Sequence, residues 1–428
     1  METGHKLIPR QHLLPFVLVT ALFFLWAIPN NLNDVLIRQF MKSFEITRLK
    51  AGLLQSAFYL GYFAMSMPAA LIMRRRGYKF GLVVGLLLYS TGTLLFWPAA
   101  IVGQYGFFLM ALFVIAAGLG FLETGANPFI AQLGDPATSE RRLNFSQAFN
   151  PLGAISGALI GTVFIFSGIE LNKRQVVSMK AAGTYQAYLH HETLRVITPY
   201  LVLACVVFVW ALLIMRTKFP QMAGEGPGES ATGGGYRDLL RFPHYVTAVI
   251  AQFFYVGAQV GTWSYFIQYV QQYTHQPEKI AGYFLSGTLV AFGVGRFTST
   301  YLMKFVRPNV LMGVFAVTNV LLVGVSVVQP GWIGLWAIFA TSFFMSLMFP
   351  TIFALGIKGL GPDTKIGGSL LIMSIVGGAA FPPLMGLISD ATGSMALAML
   401  VPLACYAFIA YYSFLGSQIK RPALAPVA

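Results

Sequence analysis

The sequence predicts an all-α membrane protein: twelve transmembrane helices in two pseudo-symmetric six-helix bundles. Three observations predict it. Only 10% of the 428 residues are charged while 57% are hydrophobic, and the mean hydropathy is +0.70. A soluble domain carries about 25% charged residues because its surface faces water. Apolar runs of helix length recur from end to end, each able to cross about 30 Å of hydrocarbon. A Gly-rich polar stretch, Met222–Asp238 (MAGEGPGESATGGGYRD), divides those runs into six and six.

The first six runs are Leu13–Arg38, Leu49–Met73, Phe80–Pro98, Tyr105–Leu133, Leu143–Ser167 and Val196–Met215. The second six are Tyr245–Tyr273, Ile280–Met303, Asn309–Val328, Trp332–Ile357, Ile366–Ser389 and Met395–Leu415. The chain therefore divides into a bundle over 1–215, a cytoplasmic linker over 216–243, and a second bundle over 244–428. The linker has too little apolar content to bury a core. Short internal matches relate the halves. NPFIAQLG (Asn127–Gly134) in the fourth run answers FPTIFALG (Phe349–Gly356) in the tenth, and ALFF (Ala21–Phe24) in the first answers AQFF (Ala251–Phe254) in the seventh. Duplicated halves with a site between them are the architecture of alternating-access carriers.

The net charge of +14 does not point to nucleic acid, because the basic residues lie singly or in short clusters between apolar runs. It reads as membrane topology. With the N-terminus in the cytoplasm, eighteen Lys and Arg fall inside and nine outside. The inside set comprises Lys6, Arg10, Arg74, Arg75, Arg76, Lys79, Arg141, Arg142, Arg216, Lys218, Arg237, Arg241, Lys304, Arg307, Lys358, Lys365, Lys420 and Arg421. That excess places both termini in the cytoplasm. No cleavable signal peptide is evident, since the apolar run after Arg10 continues to Pro29. The polar outside loop Gly168–Arg195, with His190 and His191, reads as an external cap. Cys205 and Cys405 read as small core residues.

Function is argued from the acids. Of fourteen, eleven fall in tails, loops or the linker, leaving Asp34, Glu123 and Asp390 within or beside the runs. A charge at the bilayer centre costs about 2.5–3.5 kcal/mol on insertion scales, so an acid there faces protein or water and is a functional candidate. Glu123 lies well inside the fourth run, with Asn127 one turn on and on the same helix face. Such a carboxyl is suited to loading and releasing a proton; the competing reading is a structural acid between helices. Asp34 closes PNNLND toward the outer end of the first run, sharing a face with Asn30 and flanked by Asn31 and Asn33. Its position suits proton entry from outside; the alternatives are a residue in an outer vestibule or a partner for Arg38. Asp390 opens the loop DATGS and reads as a turn or cap residue.

Neutral polar residues complete the pattern. Gln147 and Asn150 share a face just before Pro151, and Gln252, Tyr255 and Gln259 follow helical spacing on the seventh run, with Trp263 beyond. Amides that donate and accept, beside aromatic plates, suit a sugar, which presents hydroxyls around a ring with apolar faces. Each alone reads more readily as interhelical glue, and it is the cluster that tips the balance toward a sugar site. Arg296, within GVGRF, is given no role. No metal-ligand, phosphate-loop or nucleophile constellation is present, so no cofactor, metal or nucleic acid is expected.

Beyond these patterns, NNLND, LLQSAFYLGYF, FWPAA, AAGLGFLETGANPF, AQFFYVGAQVGTWSY and PTIFALGIKGLGPDTKIGGS resemble the fucose:proton symporter family of the major facilitator superfamily, over nearly the whole chain. The resemblance implies the major facilitator fold, a bacterial inner membrane, and proton symport of a monosaccharide, L-fucose or a related hexose, by a monomer. By matched motif it puts Asp34 at a proton-linked aspartate, Glu123 at a glutamate tied to protonation and sugar recognition, and Asn150 at a cavity asparagine. The expected proton-coupling pair is thus Asp34 and Glu123. The expected sugar contacts are Glu123, Asn150, Gln147, Asn31, Asn127, Gln252, Tyr255, Gln259 and Trp263. In the same superfamily the loop matching MRRRGYKFG (Met73–Gly81) locks the inner gate, although the usual acid is missing here. Other departures are Phe349 where the family's fucose carrier has a tyrosine, Pro151 after Asn150, and Gly125 for an alanine. Relatives in the family carry glucose, galactose or N-acetylglucosamine. Two other functions remain in view: a proton-coupled drug or metabolite antiporter, and a polytopic prenyltransferase-like enzyme, faintly suggested by NxxxD at Asn30–Asp34.

Overall fold

The computed structural model describes residues 12–134, 142, 145–220, 239–303, 305–360 and 364–418. The stretch Met222–Asp238 and the basic residues Lys6, Arg10, Arg141, Arg237, Lys304, Lys420 and Arg421 lie outside them, as do the side chains of Arg74 and Lys365. Among the described residues eleven helices are long and apolar enough to cross a membrane. In the first half these are α1 Leu13–Ser43, α2 Arg48–Met73, α3 Arg75–Val102, α4 Tyr105–Ile130, α5 Phe145–Ile165 and α6 Tyr185–Arg216. In the second half, α7 is Pro243–Ser264, which runs on after a break into Phe266–Thr274. It is followed by α8 Glu278–Leu302, α9 Pro308–Val328, α10 Trp332–Ile357, α11 Leu370–Thr392 and α12 Met395–Gly416. The helix outside the eleven is α7, which carries Gln252, Gln259, Thr262 and Ser264, all but Gln259 fully buried. A helix that turns polar groups inward loses apolar character without meeting lipid.

Large apolar side chains cover the outer faces: Phe164, Val209, Phe297, Leu321, Val328 and Trp336 are all exposed. In water that would mark an interface; around helices of this length it is the surface that meets lipid. Between helices the contacts are close. A Cβ on Gly153 or Gly157 of α5 would run into the carbonyls of Phe24 and Ile28, so these glycines let α1 and α5 lie against each other. The chain passes from α2 into α3 through the basic segment around Gly77 (φ 84°), in the first turn of α3, a backbone shape that favours glycine.

Each half packs within itself, and the halves meet mainly where α2 lies on α11 and α5 on α8, with α1 touching α7. Advancing every helix by six turns the α2–α11 pair into the α8–α5 pair, the relation expected of a duplicated six-helix unit. Hydrogen bonds between the halves gather at the end carrying the first loop, residues 44–47, called here the first-loop end. There the two seams end in matched caps. Asp390, leaving α11, accepts from the Arg48 and Leu49 amides at the start of α2 (3.1 and 2.8 Å). Glu170, following α5, accepts from the Glu278 amide at the start of α8 (2.6 Å). Each acid satisfies orphan N–H groups at the positive end of a helix from the opposite half.

The segment Gly168–Arg195, expected as an external cap, is therefore more than a cap. It supplies Glu170 and also Glu192, which is buried with its carboxyl 3.0 Å from Lys42 Nζ. Lys42 lies equally close to the fully buried Glu278 of the other half. Arg38 faces Glu278 as well, at 3.9 Å, rather than Asp34. Counting acids by loop position missed this cluster, because helices begin where the sequence pattern still reads as loop. Cys405 is buried as expected, but Cys205 is exposed on the outer face of α6 and is not a core residue.

Candidate functional site

Asp34 is buried near the first-loop end of α1, 3% exposed. Its Oδ1 accepts from Gln55 Nε2 of α2 (3.0 Å) and from the Ser264 hydroxyl of α7 (3.0 Å). Gln55 Nε2 also donates to Ser264 Oγ (2.9 Å), closing a triangle that spans both halves. The open outer vestibule is not where Asp34 sits; it is sealed between the bundles. Neither Gln55 nor Ser264 was singled out from the sequence. Gln55 lies in LLQSAFYLG, a polar residue in an apolar run, and that was the available signal.

Glu123 differs. It lies in the second half of α4, only half-buried, and no hydrogen bond reaches its carboxyl among the described residues. Asn127, one turn on, donates to the Glu123 backbone carbonyl (3.1 Å) and accepts from Gln147 Nε2 (3.2 Å). Asn150, at the start of the regular part of α5, is half-buried, with its amide 3.4 Å from the Phe23 carbonyl. So Glu123, Asn127, Gln147 and Asn150 bring partly open polar groups together from α4 and α5. Tyr59 of α2, also not predicted, stands within electrostatic reach of Asp34, Glu123 and Tyr255, joining the two acids to the second half.

The other predicted residues divide. Tyr255 and Gln252 are fully buried on α7; the Tyr255 hydroxyl and both polar atoms of the Gln252 amide find no hydrogen-bond partner among the described residues. Arg296 of α8 lies within electrostatic reach of Tyr255, and Phe349 meets the Tyr255 ring edge-on at 6.2 Å. Gln259 is half-buried on the same helix. Trp263 spends its indole N–H on Ser342 Oγ (3.0 Å), within its own half, and its ring stands edge-on to Phe292. Asn31 turns back to the Ala27 carbonyl of its own helix (2.9 Å) and bonds none of the other predicted residues.

The arrangement places two carboxyls at membrane depth, one sealed and one open, among amides and aromatic rings. The Major Facilitator Superfamily model matches residues 16–365. The chain is 43% identical over 413 residues to the L-fucose-proton symporter of Escherichia coli (strain K12), covering 96% of this chain and 94% of that protein. It is 35% identical over 411 residues to the glucose/galactose transporter of Brucella abortus biovar 1 (strain 9-941), covering 94% and 93%. Among solved structures, the E. coli fucose:proton symporter superposes with a TM-score of 0.72 at 42% identity, covering 96% of this chain and 100% of that one. The chain belongs to the major facilitator superfamily and, within it, to the fucose:proton symporter family, so it is a membrane-spanning transporter and not an enzyme.

Proposed function

We propose that this protein imports a monosaccharide, L-fucose or a related hexose, together with a proton, across a bacterial inner membrane with both termini in the cytoplasm. The halves over 1–215 and 244–428 act as the two rocking units, joined by the linker over 216–243. The observation that carries the proposal is Glu123: a carboxyl in the second half of α4, only half-buried and without a hydrogen-bond donor among the described residues, one turn from the Asn127–Gln147 pair. Bare in a low-dielectric interior, it is costly to leave charged. Protonation removes that cost and turns the carboxyl into a donor for a sugar hydroxyl.

In the outward-open state Asp34 and Glu123 take up a proton. Sugar then binds against Asn150, Gln147 and Asn127 on one side. From the other side come Gln252 and Tyr255, whose buried polar atoms the fold leaves unsatisfied. Asn31 and Trp263 are assigned to framework rather than contact, because the Asn31 amide donates to Ala27 of its own helix and the Trp263 N–H is spent on Ser342. Closing the first-loop end seals Asp34 and opens the route inward. Phe349 presents an apolar edge beside Tyr255, which makes this side of the site the one that selects among hexoses. A panel of labelled L-fucose, glucose, galactose and N-acetylglucosamine, offered to vesicles with and without an imposed pH gradient, tests the proposal. Gradient-driven accumulation of one of them is expected. Gradient-driven loss of a lipophilic cation, with no sugar taken up, would put an antiporter in its place.

A further inference from the structure

Resting on the symport reading, we infer that Ser264 and Gln55 are positioning residues for the proton carried by Asp34. They hold its carboxylate inside the closed interface after the proton has left toward the inner side. The geometry is the triangle of 2.9–3.0 Å hydrogen bonds among Asp34, Gln55 and Ser264. Both partners are almost wholly buried: Gln55 is 1% exposed and Ser264 0%. Among the described residues no lysine, arginine or histidine takes part.

The surrounding groups explain why neutral donors are needed. Along α1 the next charged side chain is Arg38, and it is turned to Glu278. From α2 the facing titratable group is Tyr59. On α7, Tyr265 commits its hydroxyl to the Arg48 carbonyl (2.7 Å), and Tyr255 lies about two and a half turns away. A cation in the triangle would fix Asp34 in its charged form and end its use as a carrier. Without any donor, the deprotonated carboxyl would be an uncompensated charge in a sealed interface, and the proton would be held from leaving. An amide and a hydroxyl meet both demands. In the step itself the O–H bond of the Asp34 carboxyl breaks and the proton passes to water on the inner side. The remaining negative charge is then shared with the Gln55 N–H and the Ser264 O–H.

Ser264 belongs to the second half and Asp34 to the first, so this donation exists only while the first-loop end is closed. That makes the effect state-specific. In proteoliposomes of the full chain, with inside and outside pH set independently, labelled L-fucose uptake by Ser264→Ala should depend differently on inside pH alone. Half-maximal uptake should need a proton concentration about three- to tenfold lower inside, the worth of one hydrogen bond. The dependence on outside pH should stay that of the unmodified protein, and Ser264→Thr, which keeps the hydroxyl, should restore the inside profile. An infrared titration of the carboxyl band lost in Asp34→Asn, made without sugar, should show the same displacement in Ser264→Ala. If inside profiles and infrared titrations of Ser264→Ala and the unmodified protein coincide, or if inside and outside profiles move equally, the inference falls. If no labelled sugar is taken up but the infrared displacement is present, the symport reading falls and the role of Ser264 stands.

Discussion

The surroundings of Asp34 and Glu123 differ more than their sequences suggest. Both are single acids in apolar runs beside an asparagine. Yet Asp34 is clamped by donors from two helices, one in each half, while Glu123 stands half-open on α4 with none among the described residues. Under the proposed symport, one carboxyl would respond to whether the halves have met and the other to what lies between them. A carrier that couples a proton to a sugar needs both functions, and two sites under different control keep the proton from leaking through an empty cavity.

The largest expected effect breaks the comparison outright. Glu123→Gln keeps shape and hydrogen bonding but cannot cycle a proton. A potential of about 100 mV supports roughly fiftyfold accumulation per charge, and in this variant the ratio should fall to about one. Sugar exchange measured by counterflow should survive. Undiminished accumulation would remove Glu123 from the coupling mechanism.

Next comes the lock on the sealed side. Lys42→Met leaves Glu192 and Glu278 facing each other across the interface without their shared cation. Breaking a buried pair in this way costs about 3–5 kcal/mol, borne here by the closed first-loop end. A single cysteine at Ala379, beside the α2–α11 seam, should then react with a water-soluble thiol reagent at least tenfold faster. That measurement needs Cys205 and Cys405 replaced. Unchanged labelling would mean that apolar packing, not the ion pairs, keeps this end shut.

Asn150→Ala should act on the open side alone, raising the KM for sugar about tenfold, as for one lost hydrogen bond to a polar ligand, with the pH dependence intact. A change in pH dependence instead would tie Asn150 to the proton. The smallest effect is expected for Asp390→Ala, which removes the cap on α2. Its cost is that of a helix cap, about 1 kcal/mol, seen as a several-fold rise in labelling at the same cysteine. Glu170→Ala should match it at the related seam; a much larger effect there would show that the seams are not equivalent.

Most of the helix pattern was legible because its signal is local. Length and apolarity gave the runs, and the repeats at Asn127–Gly134 and Phe349–Gly356 put α4 and α10 in equivalent places. Even the helix outside the eleven apolar spans, α7, was legible as a run, since its inward residues Gln252 and Gln259 keep helical spacing. The grouping of the predicted amides was partly legible: Asn127 and Gln147 do meet, whereas Asn31 donates to the Ala27 carbonyl of its own helix.

By itself the sequence determined that this chain spans a membrane as two related halves and keeps acids where acids are costly, because hydrocarbon imposes that cost on each helix separately. Only the tertiary structure decided that Asp34 is held by Gln55 and Ser264, that Lys42 joins Glu192 to Glu278, and that Asp390 caps α2. Those partners lie between 21 and 342 positions apart along the chain. No local pattern encodes such pairings: each joins helices that meet only in the packed molecule, and those of Ser264, Glu278 and Asp390 cross between the halves, so they last only as long as that end is closed.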